Sequence, residues 1–160
     1  MTYYGTFLTN RDADEVFDLL ANPARFAPLL PDFESMSVQD EAHFTVRIVI
    51  AVGEISGHAN LAMELRQALR PSDVEYTGKA VIAGSPLETS IRFRIASFDG
   101  MTEVTWQGEF SLDGMLARMA GVLVDSMGRK NFERMAEHIQ NALGDEMVTD
   151  EAVPTPTPEA

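Results

Sequence analysis

The feature that most constrains this chain is a change of hydrophobic period. Between residues 34 and 112 apolar side chains recur at every second position, and from 115 to 143 they recur every three to four. A period of two sends alternate side chains to opposite faces of a strand, and one near 3.6 gathers them on one side of a helix. Strands are therefore predicted at 34–40, 43–52, 58–70, 73–84, 86–98 and 102–112. Turn material separates them: Asp40-Glu41, Gly53 to Gly57, Pro71-Ser72, Gly84-Ser85-Pro86 and Asp99-Gly100. Short turns between consecutive strands predict an antiparallel meander. Its inward face holds Phe44, Val46, Ile48, Ile50 and Val52, then Leu61, Met63 and Leu65, then Tyr76, Ala80 and Ile82. Leu87, Ile91, Phe93, Ile95, Val104, Trp106, Phe110 and Leu112 continue it, while alternate positions carry Arg47, Glu64, Glu75, Lys79, Arg92, Arg94, Glu103 and Glu109. One face is dry and the other is wet.

The flanks complete the architecture. Residues 2–9 read as a first strand with Tyr3, Gly5 and Phe7 on one face. Asn10 or Asp12 caps a short helix carrying Val16, Phe17, Leu19 and Leu20, and Asn22-Pro23 opens a second, closed by Pro28 and Pro31. After Asp113-Gly114 a single helix is predicted over 115–143, with an apolar stripe of Leu116, Met119, Leu123, Met127, Phe132, Met135, Ile139 and Leu143. At 1.5 Å per residue it is about 40 Å long, enough to cross the sheet. The predicted class is α+β: about seven antiparallel strands wrapped round a long C-terminal helix, with two short helices after the first strand.

The chain has 160 residues, enough for one domain with a substantial core, placed at 1–143. Residues 144–160 hold five acids, no Lys or Arg, and three prolines alternating with Thr; they read as an acidic, disordered tail. A net charge of −13 argues against a nucleic-acid partner, whose phosphates need a basic face. There is no Cys, which removes disulfides and thiolate or Cys-metal chemistry and fits a reducing cytoplasm. Met1 to Gly5 lacks the basic-then-apolar pattern of a signal peptide, and no apolar run reaches the ~20 residues of a membrane span.

Residue chemistry points away from catalysis. His43 and His58 fall on the outer face, about 30 Å apart by strand spacing, and no metal-binding histidine pair occurs. The sheet's acids sit at outward parity among Arg and Lys, as a salt-bridged surface would, and no inward base exists for a nucleophile triad. The expectation is no catalytic residue and no metal or covalent cofactor. Thr89 and Tyr76 are the polar groups at inward parity, able to meet a ligand oxygen or to be satisfied core hydroxyls. Gly121 and Gly128, mid-helix, read either as close packing against a strand or as room for a ligand. Met115, Met119, Met127 and Met135 suit a cavity for flexible apolar ligands, although a methionine stripe at helical spacing is more often plain core. The apolar connection Phe26 to Phe33 suits a lid at a pocket mouth.

This order of elements resembles the helix-grip fold of START-like (SRPBCC, Bet v 1-like) proteins. Local motifs resemble the carbon monoxide dehydrogenase CoxG family: Gly5-Thr6-Phe7, Leu30-Pro31, Gly53 to Gly57, Gly78 to Gly84, Thr102-Glu103-Val104-Thr105-Trp106 and Gly114-Met115-Leu116-Ala117. The family often has Pro-Gly where this chain has Pro31-Asp32, and Asp also tolerates turn geometry. The resemblance implies a hydrophobic cavity between sheet and helix that holds a lipid-like molecule such as an isoprenoid quinone, for instance menaquinone. It implies service to a CO dehydrogenase-type molybdenum hydroxylase or related redox enzyme, in the cytoplasm or at the inner face of the membrane, with transient membrane contact. Some members carry an apolar anchor after a long linker; the acidic Pro/Thr tail here has none.

The candidate ligand-binding residues are Leu29, Leu30, Met63, Tyr76, Phe93, Trp106, Met119, Leu123 and Met127, with Tyr76 or Thr89 meeting a polar headgroup. Two alternatives remain at this point. One is a polyketide cyclase-like enzyme on the same fold. The other is an assembly or membrane-recruitment factor with a filled core, docking through Arg118, Arg129, Lys130 and Arg134 set among Asp125, Glu133 and Glu137.

Overall fold

The computed structural model of the chain describes residues 1–52 and 54–144. Its elements run β1 (Thr2–Thr9), α1 (Ala13–Leu20), α2 (Pro23–Phe26), a 3₁₀ turn (Ala27–Leu29), β2 (Phe33–Val38), β3 (His43–Val52), β4 (Ile55–Leu69), β5 (Asp73–Ile82), β6 (Ser85–Phe98), β7 (Met101–Leu112) and α3 (Gly114–Ala142). All seven strands form one antiparallel sheet in the order β1-β7-β6-β5-β4-β3-β2. The meander expected from the alternating period is present, and β1 returns to close its far side against β7, with Gly5 opposite Trp106. The acidic tail assigned to 144–160 lies, from 145 on, outside the described residues.

Local chemistry sets the helix ends. Asp12 accepts from the Glu15 N–H while the Glu15 side chain accepts from the Asp12 N–H, a reciprocal cap that opens α1. Asn22 caps α2, and Pro23 occupies its first turn, where a missing N–H costs nothing. Arg70, in the β4–β5 turn, reaches back to Asp14 at 3.0 Å and Asp18 at 2.6 Å, its guanidinium 4.6 Å from the Phe17 ring centroid. That clamp ties α1 to the end of the sheet.

The long helix departs from the expected uninterrupted form. Gly121 has φ 5° and ψ −94°, so α3 kinks there. Beyond the kink the face on the sheet is carried by Val124, Gly128, Phe132, Met135 and Ile139, all buried. Met119 and Leu123, expected on that stripe, are 72% and 49% exposed, and with Met115 at 64% they form an apolar row on the outer side of the helix. The start of α3 is held from outside: Asp113 carries no side-chain cap, and the buried Ser85 hydroxyl accepts from the Leu116 N–H at 3.0 Å. At its other end Arg11 donates to the Leu143 carbonyl at 2.8 Å.

The interior has a filled part and a hollow part. The filled part lies under α1 and α2, where Phe26 stacks on Tyr76 at 4.4 Å between centroids and meets Phe93 edge-on at 5.8 Å. Phe44 meets Tyr76 from the other side, also at 5.8 Å. The fully buried Tyr76 hydroxyl donates to the Leu20 carbonyl at 2.6 Å, near the C-terminus of α1. Burial pushes its pKa up, so it stays a neutral donor. Tyr76→Phe is expected to leave that buried carbonyl without its donor and to lower unfolding stability by about 1–2 kcal/mol. Urea denaturation with an unchanged m-value checks this; a loss under about 0.3 kcal/mol would mean that water or a shift of α1 replaces the bond.

Candidate functional site

The hollow part lies at the other end of the sheet, between its concave face and the central turns of α3. It is a cavity of about 150 Å3, and it is not sealed. Its floor is the inward row of five strands: Ile48 and Ile50 of β3, Ala59 and Leu61 of β4, Ala80 and Ile82 of β5, Leu87 and Thr89 of β6, and Phe110 and Leu112 of β7. Its roof is Leu116, Val124, Met127, Gly128, Asn131, Phe132 and Met135 of α3, and Leu30 and Pro31 close one side. Small side chains in the floor contribute to the space. Ala59 pairs across the sheet with Ile48 and Ala80 with Leu87, so each pair presents one large side chain instead of two. The half-buried residues of the wall are Thr89, Phe110, Leu112 and Asn131 together with Leu30, Pro31, Ile48, Ile50 and Met127, and the last five border the mouth beside the connection into β2.

The wall is nearly free of polar chemistry. No Asp, Glu, Lys, Arg or His lines it among the described residues, and its polar side chains are Thr89 and Asn131. Thr89 donates to the Glu109 carbonyl at 2.9 Å. Tyr3 runs beneath the helix at Gly128, where an added Cβ would sit 2.7 Å from the phenol oxygen. That hydroxyl is bound to Asp125 Oδ1 at 2.9 Å, and its pKa is pushed up to about 12, first by burial and then by the Asp125 carboxylate. Gly128 thus serves both roles that its position in the sequence allows, close packing over Tyr3 and a place in the cavity wall. At Gly121 nothing lies within 4 Å of an added Cβ, and its part is the kink.

Of the sequence candidates, Leu30, Thr89 and Met127 come together in this wall. Leu29 lies just outside it, its carbonyl accepting from His138 Nδ1 at 2.8 Å. Met63, Tyr76, Phe93 and Trp106 are buried in the filled core, and Met119 and Leu123 face solvent. The Tyr76 hydroxyl is committed to Leu20. Asn131 is not an obvious candidate from sequence because it is polar. It nevertheless stands four residues from both Met127 and Met135, a spacing that puts all three on one helix face.

The mouth is held by an ion pair. The Arg134 guanidinium grips both Asp32 oxygens at 3.2 Å, fixing the connection that carries Leu30 and Pro31 to α3. Asp32 has φ +61°, the left-handed region that favours glycine. The histidines stand elsewhere. His58 pairs with Val49 because β4 begins at Ile55, so His43 is about 20 Å away along the strands rather than about 30 Å. His43 binds Asp40 at 2.9 Å, which raises the His43 pKa above its ordinary value, and His58 binds Glu34 at 3.1 Å. Among the described residues no group of three or more His, Asp or Glu is placed to hold a metal ion, and no helix is long and apolar enough to cross a membrane.

Comparison with known proteins gives the same frame. The sequence model of a family described as the CoxG subunit of carbon monoxide dehydrogenase matches residues 5–144. No curated protein matches the chain in sequence. Among solved structures, a conserved protein from Geobacillus kaustophilus superposes with a TM-score of 0.76 at 12% identity, covering 89% of this chain and 95% of that one. A START superfamily protein from Mycobacterium smegmatis gives 0.64 at 8% identity, covering 89% and 96%. The Zhui aromatase/cyclase from a Streptomyces species gives 0.58 at 20% identity, covering 89% and 90%. At these identities the likeness establishes a shared START-like fold.

The mouth yields a test of what Asp32 contributes. Asp32→Gly removes an exposed ion pair worth up to ~1 kcal/mol and relieves the left-handed backbone, so stability is expected to change by less than about 0.5 kcal/mol. Asp32→Ala removes the pair and keeps the unfavourable backbone, for a loss of about 1–2 kcal/mol. Denaturation midpoints of both variants decide it; equal losses would mean that the ion pair alone sets this loop.

Proposed function

Because the chain belongs to the carbon monoxide dehydrogenase CoxG family, we propose that it is a non-enzymatic accessory protein that carries a hydrophobic molecule in the cavity beneath α3. The observation that carries this reading is a wall of apolar side chains, without an ionisable group among the described residues, around about 150 Å3 of space that is open on one side. An apolar cavity of that size holds a guest of roughly one aromatic ring without disturbing its walls. A lipid with a ring head and a hydrocarbon tail therefore places the head inside, and its tail leaves between Leu30 and Met127 unless the β2 connection shifts. An isoprenoid quinone such as menaquinone has this form, the second ring of its naphthoquinone head lying in the open mouth. The family's description as part of a dehydrogenase supports a CO dehydrogenase-type molybdenum hydroxylase, or a related redox enzyme, as the partner served, with membrane contact to load or unload the lipid.

A cyclase of the kind seen on this fold needs acid–base groups facing its substrate. The described wall offers a threonine whose proton is already engaged and a carboxamide, which disfavours that reading. Native mass spectrometry of the purified protein, before and after incubation with menaquinone and followed by organic extraction, tests the carrier. A stoichiometric lipid on the wild type is expected, with none on Ala80→Phe, whose ring would occupy the cavity while thermal stability is kept or raised. A bare mass for the wild type after incubation overturns the reading and leaves an assembly factor with no cargo. Equal loading of the variant would move the cargo to another place.

A further inference from the structure

We infer that the Asn131 carboxamide is the hydrogen-bonding anchor for the head of the cargo, which is therefore an apolar ring bearing a carbonyl or a hydroxyl and not a plain hydrocarbon. This rests on the carrier reading and adds to it the chemistry of the ligand's polar end.

Asn131 lies on the central turns of α3, between Met127 and Met135, and all three line the cavity. Its side chain is half-buried and has no hydrogen-bonding partner among the described residues. Asparagine is among the poorer residues for a helix interior, and no partner among the described residues offsets that cost. Neither fold nor packing requires it there, since leucine or alanine would line the roof at lower cost. A ligand group that completes its hydrogen bonds accounts for the choice.

The chemistry of the amide narrows the class. A carboxamide offers N–H donors and a carbonyl acceptor from one side chain. It can donate to a ring carbonyl and, turned over, accept from a ring hydroxyl. A quinone has the first and a quinol the second, so one residue holds both redox forms without any change in its own protonation. Thr89, on the sheet side of the same cavity, has given its proton to Glu109 and retains only acceptor capacity. It can receive a hydroxyl but offers nothing to a carbonyl, which makes Asn131 the donor available in the described wall.

Calorimetric titration with three probes tests this: 2-methyl-1,4-naphthoquinone, 2-methylnaphthalene and 1-naphthol. The chain has no Cys, so the quinone meets no thiol to alkylate. The wild type is expected to bind the quinone and the naphthol about fivefold or more tightly than the hydrocarbon, the effect of one net hydrogen bond. Asn131→Leu is expected to erase that preference by weakening both oxygenated probes while 2-methylnaphthalene binds as well or better. Asn131→Asp, which as a carboxylate only accepts, is expected to keep the naphthol and reject the quinone. If Asn131→Leu weakens all three probes alike, or none of them, the anchor is not Asn131 and the carrier reading survives. If the wild type binds no probe, both fall together.

Discussion

The physical constraint on which this molecule depends is that one helix must cover the concave face of a seven-stranded sheet. An inward row of apolar side chains on every strand cannot stay in water, and α1 and α2 reach only one end of it. There the fit is close: Phe26 inserts between Tyr76 and Phe93, and the Arg70 clamp to Asp14 and Asp18 holds the cover in place. At the other end α3 alone spans the curvature, held at its start by Ser85 and at its finish by Arg11. Its second half sits down on the sheet because Gly108 and Gly128 remove the β-carbons that would meet Phe132 and Tyr3. Beneath its central turns, from Val124 to Met135, the helix leaves the cavity, with Leu116 at the near end.

That space has an energetic cost. At about 24 cal/mol per Å3, an empty cavity of about 150 Å3 forgoes roughly 3–4 kcal/mol, a large share of the stability of a domain this size. Replacing Ala59 and Ala80 with larger apolar residues would recover much of it. The chain instead keeps small residues at two floor positions, Ala59 and Ala80, and an asparagine in the roof. A hollow core whose filling is within reach of two substitutions is a feature that a cargo explains, since a bound molecule restores the missing contacts.

The strands were legible because their period is a property of the backbone itself: parity decides the face, and parity is read directly from positions 44 to 112. Even the outward ion pairs, such as Arg92 with Glu75 and Arg47 with Glu34, follow from it. The cavity was less legible, for a reason that applies beyond this chain. Parity says which residues point inward and not whether they touch. Choosing large inward residues selects those that fill space, which is why Tyr76, Phe93 and Trp106 lie in solid core, whereas the hollow is marked by the small ones, Ala59 and Ala80. The kink was hidden for another reason. A glycine in a periodic stretch reads as a local cost, while here it also breaks the helical backbone, and Met119 and Leu123 on either side of it are exposed.

If the protein carries a cargo as proposed, it must also let go, and the same geometry would limit how tightly it holds. With room for little more than a ring, the cavity would bury little of the long tail of an isoprenoid quinone, the cargo proposed. Affinity then rests on the head: one ring's worth of apolar contact and the hydrogen bond available from the roof. The connection beside the mouth is held by an exposed ion pair between Arg134 and Asp32, of a kind that contributes ~0–1 kcal/mol, and by the His138 bond to the Leu29 carbonyl. Neither is strong enough to lock the connection shut. For the carrier proposed, a small cavity, one hydrogen-bonding anchor and a weak latch would favour exchange of cargo over storage.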